Sequence, residues 1–157
     1  MTIPLWCLAG LVLLSLALLL ALLGARLRHL SSGGSVRDFG IPDERRLVWR
    51  LFRAHANSVE NLPLFIALVV IASVRGVGGA ALDVLSLLYF AARLGHSVVH
   101  VAGGPGNARL AFLVVQVACL LGILGLLVQP LQPGHDQSSN ARLQRTARRA
   151  AAEPQRR

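Results

Sequence analysis

Apolar residues in this chain fall into four long runs, separated by short stretches rich in glycine, proline and charge. The first run, Ile3 to Ala25, reaches the ~20 residues that cross a bilayer as one helix, and Arg26 and Arg28 close it. A cleaved secretory signal is the rival reading. No cation precedes the run, however, and it exceeds the ~7–15 residues of a signal core, so the pattern predicts an uncleaved helix. Ser31-Ser32-Gly33-Gly34-Ser35 then reads as a flexible loop, and Pro42-Asp43-Glu44 as a helix start with acids at the positive end of the dipole. A second helix is predicted from about Asp43 to Val74, polar in its first half and apolar in its second. Pro63 predicts a kink there unless neighbouring groups satisfy the carbonyl it frees. Gly76-Val77-Gly78-Gly79 reads as a turn, Ala80 to Val101 as a third helix, and Gly103-Gly104-Pro105-Gly106-Asn107 as a loop. The fourth helix is Leu110 to Val128, with Arg109 at its mouth and Pro130 and Pro133 beyond its end.

Polar residues inside these helices are not scattered. At 100° per residue, Arg50, Arg53, Asn57 and Glu60 share an arc of about 80° on the second helix. Tyr89, Arg93, His96 and His100 share about 60° on the third. A charged group inside a membrane costs on the order of 2.5–3.5 kcal/mol, so such groups normally face protein, water or a ligand. Two stripes on consecutive helices point to a shared site. The plainer alternative, that Arg53 and Glu60 only neutralise each other between helices, stays open at this level. His96 and His100 have metal-ligand spacing, but no matching carboxylate or HExxH pattern accompanies them, so no metal is expected.

Composition agrees with a membrane setting. The chain has 157 residues, 54% of them hydrophobic, more than the ~45–50% of soluble domains, and its mean hydropathy is positive. All 16 basic side chains other than histidine are arginines, and the net charge is +9. They cluster at segment ends and in the tail, as expected against anionic head groups and not as a nucleic-acid surface. Cys7 and Cys119 both lie in apolar runs and suggest neither a metal site nor a disulfide framework. The expectation is an all-α four-helix transmembrane bundle over residues 1–130. A polar, arginine-rich tail over 131–157 is expected to be disordered or to lie on the head groups. Four spans place both termini on one side. The first loop carries seven arginines, counting Arg26 and Arg53, and favours cytoplasmic loops; the six arginines of the tail argue the opposite.

Arg53-Ala54-His55-x-Asn57-x-x-Glu60-x-x-Pro63 resembles the helix-two signature of the membrane-associated proteins in eicosanoid and glutathione metabolism, the MAPEG family. Arg26 at the end of helix one, Arg93-x-x-His96 in helix three and Arg109 before helix four extend the resemblance as far as Val128. Leu62 before Pro63 fits the more divergent, bacterial-type members, which implies a multi-pass protein of the inner cell membrane if the source is bacterial.

The resemblance implies homotrimers of four-helix protomers that bind glutathione between neighbouring subunits. It implies glutathione contacts for Arg26, Arg53, Asn57, Glu60, His96 and Arg109, with Arg93 and His100 beside them on the helix-three stripe. The residue types suit that ligand. Arginines match its two carboxylates, Glu60 its ammonium, and Arg109 is the candidate cation for a thiol of pKa ~8.5 that must ionise to react. The sequence departs from the prostaglandin synthase branch at Ala56, where a further arginine is usual, at His100 in place of a tyrosine, and at Leu110 in place of a serine. These departures point away from prostaglandin isomerisation. They leave a glutathione-dependent transferase or peroxidase-like enzyme acting on a lipophilic electrophile, or a non-catalytic lipid-binding or scaffold protein of the same fold. A small oligomeric transporter is a third and weaker reading.

Overall fold

The computed structural model describes residues 2–129; the expected tail over 131–157 lies outside the described residues. Four α-helices follow one another: α1 Ile3–Ser31, α2 Leu47–Val74, α3 Ala80–Ala102 and α4 Gly106–Val128, with a single 3-10 turn, Val36–Gly40, between α1 and α2. Every helix is long and apolar enough to cross a membrane. The shorter pair, at 23 residues each, extends ~35 Å against a hydrocarbon core of ~30 Å. The α2–α3 and α3–α4 connections are short, and Glu44 of the longer α1–α2 connection bonds Arg109 at the start of α4, so successive helices are antiparallel. The α1–α2 and α3–α4 loops therefore meet at one end of the bundle, and the α2–α3 turn lies at the other.

Three boundaries differ from the sequence reading; one is the start of α4, at Gly106 and not Leu110, so Gly106 and Asn107 of the expected loop belong to the helix. Helix α1 continues past Ala25 to Ser31. Leu27 and Leu30 extend its apolar pattern, Arg28 and His29 face the negative end of its dipole, and the Ser31 and Ser32 hydroxyls donate to the Arg28 carbonyl at 2.9 Å. Helix α2 begins at Leu47, not near Asp43. The Asp43 carboxylate accepts from the Arg45 amide (2.9 Å) and its carbonyl from the Arg46 amide (3.0 Å). This side-chain turn competes with the helix for the same groups.

The serine–glycine stretch is also more structured than its composition suggests. Ser35 caps the 3-10 turn: its amide donates to Asp38 Oδ2 (2.9 Å), and its hydroxyl accepts from the Arg37 amide (3.3 Å). The Ser35 amide first, and then the His29 ring at 2.8 Å, hold the Asp38 carboxyl below the usual carboxylate range. At the same end of the bundle, α3 stops in a Schellman motif. The Gly104 amide donates to the Val99 carbonyl and the Gly103 amide to that of His100, with Gly103 at φ 73°, a left-handed conformation that glycine adopts without strain.

Packing divides the interior into layers. Cys7, Leu11, Phe65, Val69, Ile123 and Leu127 form the larger apolar core, in which Phe65, Val69 and Ile123 are fully buried. Leu18, Leu22, Leu51 and Ala54 form a smaller one nearer the loop end. Helix α3 packs most extensively on α4. Gly95 permits that approach, since a Cβ there would lie 2.6 Å from the Phe112 ring. Outward positions such as Leu13, Leu20 and Leu121 are exposed aliphatics, the surface that lipid chains solvate. Between the two cores along α2 lies a polar layer.

Candidate functional site

The polar layer begins where α2 passes through Pro63 without interruption. Proline has no N–H to give the Val59 carbonyl, and α3 lays donors along the preceding turns. Tyr89 Oη donates to the Asn61 carbonyl at 3.3 Å, and Arg93 Nη2 donates to the Asn57 carbonyl. The carbonyl of Asn57 also accepts from Asn61 Nδ2 (3.1 Å). Below these contacts Tyr89 stacks on Phe65, with centroids 4.5 Å apart and planes within 3°.

Arg93, His96 and Gln116 are 2%, 4% and 1% exposed, respectively, and form one ladder. Arg93 Nη1 donates to Gln116 Oε1 (2.8 Å); Gln116 Nε2 lies 3.1 Å from His96 Nδ1; and the Asn57 amide lies 3.2 Å from His96 Nε2. A buried guanidinium is costly unless its donors are used, and here two of its nitrogens have partners on α2 and α4. Gln116 did not figure in the sequence reading of the site. Its signal was present, because it is a lone amide in the apolar run Leu110 to Val128, where an unsatisfied polar group has no water to turn to.

Above the ladder, toward the loop end, a cavity of about 300 Å³ opens between α2, α3 and α4. Arg53, Asn57, Glu60, His96, His100 and Arg109 line it, with Leu110 and Leu113. The sequence-predicted residues thus divide. Those six meet at the cavity; Arg93 lies beneath it as a buried support; Arg50 and Arg26 lie elsewhere. Arg50 Nη1 donates to the Glu44 and Arg45 carbonyls (3.4 Å each) and braces the α1–α2 loop. Arg26, on α1, stacks over the Phe39 ring at 5.3 Å.

Charge in the cavity is only partly compensated. Arg109 sits in the first turns of α4, where a cation opposes the helix dipole. Two acceptors offset this: Arg109 Nη2 donates to the Gly104 carbonyl (2.9 Å) and to Glu44 Oε2 (3.0 Å), and Nε reaches the same carbonyl at 3.2 Å. The Arg109 hydrogen bond is the main reason the Glu44 carboxyl is held below its usual range. Glu44 reaches Arg109 because the Asp43 turn keeps it out of α2, so reading Pro42-Asp43-Glu44 as a helix start concealed this partner. Among the described residues, neither Arg53 nor Glu60 takes part in an ion pair, and they do not neutralise each other within the chain. His100 stacks on His96, with centroids 4.9 Å apart and planes within 10°.

No curated protein matches the chain. The sequence model of the MAPEG family matches residues 3–129, which covers all four helices and every residue of the cavity. The chain is therefore an integral membrane protein and belongs to the MAPEG family.

Proposed function

We propose that this protein is a glutathione-dependent membrane transferase or peroxidase-like enzyme that conjugates glutathione to a lipophilic electrophile. The observation that carries this reading is the cavity, which holds a carboxylate, Glu60, and a guanidinium, Arg53, with no intrachain ion partner for either among the described residues. Both side chains are exposed in the protomer and available to a ligand of complementary charge. Glutathione has the complementary set: an ammonium for Glu60, carboxylates for Arg53 and a thiol for the remaining cation. The cavity volume lies at the lower end of the ~300–1,000 Å³ range of small-molecule sites.

In this reading Arg53 and Glu60 bind and orient glutathione, His96 donates to an acceptor on it, and Arg109 stabilises its thiolate. The thiolate sulfur forms a bond to the electrophilic carbon, the leaving group departs with its electron pair, and the thiol proton passes to bulk water. Arg26 faces away from this cavity. A homotrimer would supply it from a neighbouring protomer, so Arg26 becomes a site residue only if the assembly forms. The bilayer brings the lipophilic acceptor to the apolar rim at Leu110 and Leu113.

One observation favours the second reading, a non-catalytic lipid-binding or scaffold protein: Glu44 and Gly104 already engage the cation assigned to the thiolate. Both readings are tested together. Glutathione is titrated into the full chain in mild detergent, and a model aryl halide is then added. Saturable binding with thioether formation and halide release supports the enzyme. Binding without turnover supports the scaffold. Crosslinking in the same detergent should trap three copies, and a stable monomer would remove the basis for a role of Arg26.

A further inference from the structure

The ladder beneath the cavity fixes more than the positions of its members. A guanidinium has donors only. The oxygen and nitrogen of a side-chain amide exchange by a half-turn, so their neighbours decide which points where. Gln116 faces Arg93 on one side and His96 Nδ1 on the other, at 2.8 and 3.1 Å. Turning the amide over would set its N–H groups against the buried Arg93 N–H and forfeit a charge-assisted bond. Oε1 therefore stays on Arg93, and Nε2, which can only donate, points at His96 Nδ1. That nitrogen has to accept, so the proton of a neutral His96 ring lies on Nε2.

The other side of the ring is less constrained. The Asn57 amide lies 3.2 Å from His96 Nε2, and a half-turn presents its oxygen to the Nε2–H. That half-turn replaces the bond from Asn61 Nδ2 to Asn57 Oδ1 with two facing amide donors, which the part-buried Asn61 side chain relieves by shifting while its bond to the Asn57 carbonyl is kept. The conflict thus resolves at the neutral, half-buried asparagine and not at the buried cation.

We propose that Gln116 is a positioning residue: held by Arg93, it fixes His96 as the Nε2–H tautomer, so that His96 presents a hydrogen-bond donor and not a base to the ligand in the cavity. A ligand atom that replaces the Asn57 oxygen at Nε2 is then an acceptor, a carboxylate or peptide carbonyl oxygen or a thiolate sulfur. Thiol deprotonation at Nε2 is closed to His96, because that nitrogen already carries its proton. The part of this inference that concerns the ligand rests on the glutathione reading; the tautomer does not.

The test is an imidazole nitrogen–proton correlation spectrum of the full chain, labelled with nitrogen-15 at histidine, in mild detergent and without glutathione. The His96 signals are assigned by their loss in His96→Gln. The wild type should show a protonated Nε2 and an unprotonated Nδ1. In Gln116→Glu the new carboxylate accepts from both Arg93 and His96, so the proton should move to Nδ1. An Nδ1–H tautomer in the wild type, or an unchanged pattern in Gln116→Glu, overturns the proposal. Should Gln116→Glu not fold, the wild-type spectrum decides alone: Nε2–H supports the proposal and Nδ1–H ends it. Glutathione binding is read separately. Gln116→Glu should weaken it by about tenfold, the loss of one good hydrogen bond to a charged group. A protein with the expected tautomer that binds no glutathione refutes the glutathione reading and leaves the role of Gln116 standing.

Discussion

The same three helices carry two sets of polar residues with opposite accounting. In the ladder of Arg93, Gln116, His96 and Asn57, donors and acceptors find partners inside the chain, and the first three residues are almost completely buried. In the cavity a turn away, Arg53 and Glu60 have no ion partner among the described residues, and Arg109 is held only by a loop carboxylate and a carbonyl. A closed network specifies how helices meet. An open one, with Arg53 and Glu60 exposed in the protomer, leaves charges for a ligand to complete. Chemical type does not separate the two sets, since each contains an arginine. What separates them is whether the protein itself supplies the counterpart.

Substitutions in the two sets should therefore fail in different assays. The largest effect is expected from Arg53→Gln and Glu60→Gln. Each removes a charge-assisted contact to the ligand, worth about 1.5–3 kcal/mol or roughly 10- to 150-fold in glutathione affinity. Their effect on thermal stability should stay within about 0.5 kcal/mol, because neither side chain has an intrachain ion partner to strand. Arg93→Met should instead lower stability, with any loss of affinity following from the loosened Gln116. It leaves Gln116 Oε1 without a donor and costs about 1–3 kcal/mol of stability, read as a fall in the unfolding midpoint in detergent. A stable Arg93→Met protein that has lost only ligand affinity would erase the distinction between the sets.

Arg109 tests the boundary between them. Arg109→Ala should slow conjugation most near neutral pH and progressively less as pH rises toward the free thiol pKa of ~8.5, where the thiolate forms unaided. A loss of rate that does not change with pH would assign Arg109 to substrate positioning instead. The smallest effect belongs to Glu44→Gln. Glu44 is 60% exposed, so its pair with Arg109 contributes at most ~1 kcal/mol. Because Arg109 depresses the folded-state pKa of Glu44, that contribution is complete above the ordinary carboxylate value of ~4.3 and vanishes as pH falls through the lower folded value. Stability curves of the wild type and Glu44→Gln should therefore run apart near pH 7 and converge only as pH falls through the lowered folded-state value.

Much of this could be read from the sequence, and the limits have physical causes. Run length revealed the four helices, and helical periodicity revealed the two stripes, because the bilayer penalises polar residues that are not organised. Periodicity cannot say which neighbour a stripe meets. Arg93 and His100 share one narrow arc of α3, yet Arg93 is sealed beneath the cavity and His100 is half-buried in its wall. Glu44 and Gln116 were missed for different reasons. The Asp43 turn displaces the helix start to which Pro42-Asp43-Glu44 points, and Gln116 acquires meaning only when α4 packs on α3. Asn57 belongs to both sets: its carbonyl holds Arg93 and its side chain meets both His96 and the cavity. Asn57→Ala would therefore disturb fold and site together, and Arg53 and Glu60 are the sharper probes.

The most direct test of the open network is calorimetric titration of glutathione into wild-type, Arg53→Gln and Arg93→Met proteins in the same mild detergent, each with its unfolding midpoint measured alongside. Wild type should bind glutathione saturably. Arg53→Gln should bind at least tenfold more weakly at an unchanged midpoint, and Arg93→Met should show a lowered midpoint. No binding to well-folded wild type, or wild-type affinity in Arg53→Gln, would contradict the open network as the glutathione site.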